Sequence, residues 1–232
     1  MALNIAYLAV IAALASAAVA LGADVRRTGM LRLAMFWLLG VSGAAAVIAG
    51  GWALLENLKL TVQLALGLPW LHWQLRLDAL SGFFFAVVGL LLVAVSFYGP
   101  AYVRDFEGGK QPLSVLGLFT GLFAAGMLLV LLADDAFAFM VAWELMSVSS
   151  YFLVTYQHQN AANRRAGFLY LLMAHVGALA ILLGFGVLAA FSGNFTFDAM
   201  RAASLPALWS SIAFALAFFG FGMKAGMVPV HA

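Results

Sequence analysis

The sequence predicts an all-α transmembrane helix bundle of about seven spans, with its N-terminus outside and a small external β-hairpin between spans two and three. Three observations carry this reading. Apolar residues make up 66% of the 232 and charged residues 9%, where soluble domains hold roughly a quarter charged. The apolar residues gather into runs of about 20, the length a helix needs to cross the hydrocarbon core of a bilayer. One intervening loop alternates strictly between apolar and polar side chains, which is the period of a strand. A mean hydropathy of +1.08 makes the lipid bilayer the chain's first partner.

Charge and composition narrow the function classes. The net charge of +2 is spread over short clusters between apolar runs, with no basic face, which argues against nucleic acid as a partner. The absence of cysteine removes disulfides, thiolate metal ligands and cysteine nucleophiles. No phosphate-cradling loop or dinucleotide fingerprint is present, so no cofactor is expected in this chain. His72, His158, His175 and His231 have no metal-ligand spacing with one another or with acids, and no metal site is expected.

The runs fall at 4–21, 31–55, 79–98, 113–132, 136–156, 167–191 and 208–230. The first ends in Ala18-Val19-Ala20, a signal-peptidase-like triplet. No Lys or Arg precedes it, however, and Arg26, Arg27 and Arg32 follow it, so the first helix is expected to stay uncleaved. Between spans two and three, Leu58, Leu60, Val62 and Leu64 alternate with Lys59, Thr61 and Gln63. The period returns at Leu71, Trp73, Leu75 and Leu77 after Gly67-Leu68-Pro69, predicting a hairpin over 58–78 with one face against the bundle and His72 on the solvated face. Phe195 to Ser204 reads as a short surface helix with Asp198 near its start, where a negative charge suits the helix dipole. One set of loops holds seven cations (Arg26, Arg27, Arg32, Arg104, Lys110, Arg164, Arg165) and the other three (Lys59, Arg76, Arg201); the richer set marks the cytoplasmic side.

Chemistry concentrates in the later spans. Glu144 is the only charged residue in 136–156, near mid-depth, where an acid costs roughly 2.5 to 3.5 kcal/mol to insert. The default for such a residue is a proton or ion site. Ser147, Tyr151 and Thr155 follow it at spacings of three and four along one helical stripe. They can relay protons, or simply bond to the carbonyls of their own helix. Lys224 lies near the end of the seventh span among Gly220, Gly222, Gly226 and Pro229. Pro229 deprives the Ala225 carbonyl of its helical partner, predicting a break there, and broken helices line ion paths in transporters. The rival readings are a lysine snorkelling to the surface and a Gly222-x-x-x-Gly226 packing motif. His175 lies in the sixth span; a histidine side chain ordinarily changes charge close to neutrality, which suits a relay between fixed charges, and the other reading is a hydrogen-bonded interior residue. Asp134 and Asp135 lie at the outer mouth, able to feed or collect protons; the favoured reading of two acids in a short turn is plain solvation.

Three stretches carry a family resemblance: Trp143-Glu144-Leu145-Met146-Ser147-Val148-Ser149-Ser150-Tyr151-Phe152-Leu153, Asn163-Arg164-Arg165-Ala166-Gly167-Phe168-Leu169-Tyr170, and Met223-Lys224-Ala225-Gly226-Met227-Val228-Pro229-Val230-His231. Together they resemble the antiporter-like family of proton-translocating membrane subunits, found in respiratory complex I, Mrp-type sodium/proton antiporters and membrane-bound hydrogenases. The arginine pair and His175 are most similar to its hydrogenase-4 and formate hydrogenlyase branch. The resemblance implies that Glu144 faces Lys224 on a broken helix, and that the external hairpin belongs to the family's fold. It also implies other membrane subunits and peripheral redox subunits as partners, and a bacterial-type cell membrane as location. Residues 1–112 would then hold the first three helices, and 113–232 the first part of the proton-translocating module. That module would stop before its eighth helix, with the C-terminal half missing.

Overall fold

A computed structural model of the chain describes residues 1–21, 28–106 and 112–227. Arg26, Arg27, Lys110, Pro229 and His231 lie outside the described residues. Among the described residues eight α-helices and two strands follow in order: α1 (Ala2–Leu21), α2 (Thr28–Leu55), β1 (Lys59–Leu68), β2 (Leu71–Asp78), α3 (Ala79–Tyr102, continued by a 3-10 turn Val103–Phe106), α4 (Leu113–Leu132), α5 (Ala136–Val154), α6 (Ala161–Ser192), α7 (Phe197–Ala202) and α8 (Ala207–Ala225). Seven of these helices, all but α7, are long and apolar enough to span a membrane. The protein is a multi-pass membrane protein with one two-stranded antiparallel sheet.

The spans pack as a file: α3 on α2, α2 on α1, α1 on α4, α4 on α5, α5 on α6, α6 on α8. Lipid supplies little hydrophobic drive for this, so close van der Waals fit and interhelical hydrogen bonds must hold the helices together. At the α2–α3 crossing an added Cβ on Gly50 would stand 2.3 Å from the Gly82 carbonyl oxygen, and one on Gly43 would stand 2.6 Å from that of Gly89. Ser42 donates to the Ala9 carbonyl at 2.7 Å and Ser16 to the Met35 carbonyl at 3.0 Å, joining α1 to α2. These pairs join α1, α2 and α3, and the continuous apolar core they share extends into α4.

The hairpin seals one end of that core. Leu60, Val62 and Leu64 of β1 and Leu75 and Leu77 of β2 turn towards it, while His72 is exposed. The strands pair from Lys59↔Asp78 to Gln63↔Gln74, shift register, and resume at Gly67↔His72. β1 therefore runs on through Gly67 and Leu68, which the sequence pattern assigned to the turn. Gly67, at φ +109°, absorbs the irregularity that a side chain would resist.

Two span ends depart furthest from the hydropathy reading, by more than the few residues seen at the others. α6 begins at Ala161, because Asn160 caps it by accepting from the Ala162 amide at 2.9 Å; the arginine pair thus lies inside the helix. The seventh span was expected to reach 230, yet α8 stops at Ala225. Gly226 takes the left-handed conformation at φ +72°, and the Met227 amide bonds back to the Gly222 carbonyl at 3.0 Å. The termination is a glycine cap that satisfies the last carbonyls, a device available before any proline is reached.

Candidate functional site

α5 enters the bundle on a buried acid. Asp135 is the N-cap: its carboxylate accepts from the Ala138 amide at 2.7 Å and from the Gln74 amide of β2 at 2.6 Å. Its neighbour Asp134 meets the Arg76 guanidinium at 3.3 Å. Both acids are buried, at 3% and 0% exposure, which corrects the expectation of solvated carboxylates at an open mouth. The α4–α5 turn has amides in need of acceptors; the hairpin folds over it through the isolated bridge Leu75↔Ala133, and the segment that caps α7 adds the bridge Asp135↔Thr196. Arg76 also reaches Asp78 at 3.2 Å and Asp198 at 3.3 Å. One guanidinium thereby joins the hairpin, the start of α3, the α4–α5 turn and α7.

The three acids respond differently to this setting. Burial pushes the Asp134 carboxyl above the usual range, with Arg76 pulling against it. Burial also acts on Asp78, but hydrogen bonds from the Ser81 amide and hydroxyl, together with Arg76, hold it below the usual range. Asp198 is lowered by its hydrogen bond from Arg201.

Inward from this end lies a layer of rings. Phe139 contacts Trp143, Phe185, Phe197 and Phe221, with centroids 5.4 to 6.1 Å apart, so α5 to α8 close on one another through aromatic edges and faces.

Beyond the rings the ionisable groups meet. Glu144 Oε2 on α5 stands 3.6 Å from His175 Nε2 on α6. The other ring nitrogen, Nδ1, lies 2.9 Å from the Leu171 carbonyl. A carbonyl only accepts, so this hydrogen bond assigns a proton to Nδ1. Nε2 of a neutral ring then presents a lone pair to the carboxylate. At 3.6 Å the contact is an ion pair only when the ring carries a proton on both nitrogens.

Lys224 approaches the same helix from α8. Its ammonium donates to Ser147 Oγ and to the Tyr170 hydroxyl, each at 3.0 Å. It also stands 5.6 Å from the ring centre of Trp143 and 5.3 Å from that of Tyr170, within cation–π range. The lysine points into the bundle, where its hold is on neutral dipoles and π faces. Among the described residues it forms no ion pair with Glu144 within 4 Å; its acceptor Ser147 is one helical turn away. The resemblance led us to expect the acid facing the amine, and in this arrangement His175 stands beside the acid instead.

The remaining residues of the stripe separate. Thr155 donates to the Tyr151 carbonyl at 2.8 Å, back-bonding within α5. An added Cβ on Gly167 would stand 2.2 Å from Thr155 and 3.4 Å from the Tyr151 ring, so both pack against the start of α6. The close approach of α6 and α8 falls at Gly177 and Gly220, where an added Cβ on Gly220 would stand 2.6 Å from the Gly177 carbonyl oxygen. Gly222 packs on Met227 of its own cap, so Gly222-x-x-x-Gly226 is a termination rather than a crossing.

Sequence reasoning missed Tyr170 and Ser150. Ser150 donates to the Ser147 carbonyl at 2.9 Å and is in short contact with the Tyr170 hydroxyl. A signal existed: Tyr170 and His175 are the only polar side chains within 167–191. No group of three His, Asp or Glu side chains among the described residues is arranged to hold a metal.

The profile of the NADH:quinone oxidoreductase/Mrp antiporter transmembrane family matches residues 133–232, the stretch that bears these groups. Hydrogenase-4 component B of Escherichia coli (strain K12) is 37% identical over 191 residues, covering 82% of this chain and 28% of that relative. The chain belongs to the antiporter-like membrane subunit family. Its fold agrees with two solved assemblies. The Mrp complex from Dietzia sp. DQ12-45-1b superimposes with a TM-score of 0.79 at 24% identity, covering 98% of this chain and 41% of that one. The membrane-bound sulfane sulfur reductase, an archaeal respiratory membrane complex, does so at 0.75 and 14% identity, covering 99% and 45%. The chain thus spans 28% of the length of that Escherichia coli relative and less than half of either matched solved chain.

Proposed function

We propose that this chain supplies the first part of a proton-translocating module in a membrane subunit of a redox-driven complex, of the hydrogenase-4, formate hydrogenlyase or NADH dehydrogenase type. Protons move through Glu144, His175 and Lys224. The observation that carries the reading is the convergence of an acid, an imidazole and an amine from α5, α6 and α8 on one stretch of α5 behind an aromatic layer. Three titratable groups are costly in lipid, and a structural subunit has no use for them.

The mechanism follows from electrostatics. An ionised carboxylate near an amine favours its protonated form, and withdrawing the carboxylate releases the proton. A unit-charge pair at about 4 Å in an effective dielectric of about 20 is worth about 4 kcal/mol, or about three decades of proton affinity. When Glu144 is engaged with His175, Lys224 lacks that support; when Glu144 turns to Lys224, the amine holds its proton. Movement of charge in neighbouring subunits drives the exchange, and those partners carry the redox chemistry, so this chain needs no cofactor. The location that fits is a bacterial-type inner membrane, with the N-terminus and the hairpin outside.

The test is Glu144→Gln in reconstituted vesicles: proton pumping is lost while the subunit still assembles. Pumping at the original rate overturns the proposal. The family's Mrp branch supports a second reading, a sodium/proton antiporter subunit working without redox partners. Sodium-dependent proton exchange with no electron donor present selects it.

A further inference from the structure

We propose that Tyr170 is a positioning residue for the proton-carrying amine: its hydroxyl, oriented by Ser150, parks Lys224 on Ser147 and keeps it one helical turn from Glu144. The inference rests on the proposed function and adds a control point to the same site.

The direction of each hydrogen bond supports it. The Ser147 carbonyl only accepts, so the Ser150 hydrogen is committed there at 2.9 Å. In the short contact between Ser150 Oγ and the Tyr170 hydroxyl, the tyrosine must therefore be the donor. With its own hydrogen spent on Ser150, the Tyr170 oxygen offers only lone pairs to Lys224, which donates to it at 3.0 Å. The chain runs one way, from amine to tyrosine to serine to backbone, and ends on a carbonyl that cannot pass a proton on. It is a holding device rather than a wire. The other N–H of the amine that the structure accounts for goes to Ser147 Oγ at 3.0 Å.

The hold stabilises the ammonium without neutralising it. Its acceptors are neutral hydroxyls, and its remaining contacts are the Trp143 and Tyr170 rings. The titratable and charged groups on the helices packed around it are Glu144 and Tyr151 on α5 and Arg164, Arg165, Tyr170 and His175 on α6, and of these Tyr170 is the one that bonds to it. An amine held this way keeps its charge available to a carboxylate that approaches, and an intact Tyr170–Ser150 pair sets the threshold for that approach. Tyr170→Phe removes the hydroxyl and keeps the ring, separating the hydrogen bond from packing and cation–π contact.

The experiment measures proton translocation against pH in membrane vesicles carrying the assembled complex with the full-length subunit, with assembly quantified in parallel. Tyr170→Phe is expected to lower the rate about tenfold, as for loss of a hydrogen bond to a charged group. It also moves the alkaline limb of the profile to lower pH, since losing an acceptor favours the uncharged amine. Ser150→Ala shifts the limb in the same direction by less, Ser150→Thr restores it, and Tyr170→Phe with Ser150→Ala is no worse than Tyr170→Phe alone, because both act on one chain of bonds. If Tyr170→Phe does not assemble, the Ser150 pair of variants decides. A Tyr170→Phe profile that superimposes on the wild type, or that falls uniformly with its limb unmoved, overturns the positioning role. Glu144→Gln in the same vesicles separates the two ideas: loss of translocation there with Tyr170→Phe unaffected defeats this inference alone, whereas retained translocation defeats the proposed function beneath it.

Discussion

Where α2 crosses α3, Gly50 and Gly82 bring two backbones so close that an added Cβ would stand 2.3 Å from a carbonyl oxygen. Where α8 meets α5, a lysine reaches across to a serine and a tyrosine at 3.0 Å. The first contact is small, dry and intolerant of any added atom. The second is long-range, polar and adjustable, since a lysine side chain has rotatable bonds that a backbone crossing lacks. The α1–α4 region is thus a frame whose energy lies in fit, and the α5–α6–α8 region carries groups whose arrangement can change without repacking the frame.

The comparison breaks most readily at the frame. Gly50→Leu is expected to cost about 3 kcal/mol or more, since overpacking against backbone cannot be relieved by rotamer changes. The readout is loss of folded protein in detergent, whereas Glu144→Gln leaves the amount of folded protein unchanged; equal tolerance at the two positions would erase the distinction.

The Arg76 cluster, which ties the two regions together at one end, sharpens it through pH. Asp78 and Asp198 are held below the usual carboxylate range, so their stabilisation is full above about pH 4 and is lost as pH falls through their lowered values. Asp134 is held above that range, so its contribution has the opposite sign, present when it is protonated and lost as pH rises through its raised value. Amide-exchange protection of the hairpin should therefore hold or rise slightly on mild acidification, then collapse below the usual carboxylate range. Protection within α2 and beyond the first turn of α3, which Asp78 caps, should follow neither step.

The smallest effect tests the stripe. Thr155→Val removes a hydroxyl that, among the described residues, bonds within its own helix, so stability should change by less than about 0.5 kcal/mol and translocation should be unaltered. A clear loss of translocation would return Thr155 to the proton path.

These outcomes bear on how far the sequence could be read. The spans, the hairpin and its inward face, and α7 were legible because each depends on a local period or on the length of an apolar run. Glu144, His175 and Lys224 stood out because an ionisable group in such a run is expensive. Asp134 and Asp135 were misread because their burial depends on a hairpin about 60 residues away folding across them. Tyr170 passed unnoticed for a related reason, since a tyrosine in an apolar run is ordinary until a cation is placed beside it.

Local pattern alone therefore determined that this chain is a seven-span membrane bundle with three costly titratable groups, because hydropathy and insertion cost are properties of a segment. Which of those groups meet was decided only in three dimensions. The crossing of α6 and α8 at Gly177 and Gly220 sets how far Lys224 reaches, and with it the choice of Ser147 and Tyr170 as its partners. Side-chain pairing across helices depends on ångström-scale approach, and no spacing along a single helix encodes that distance.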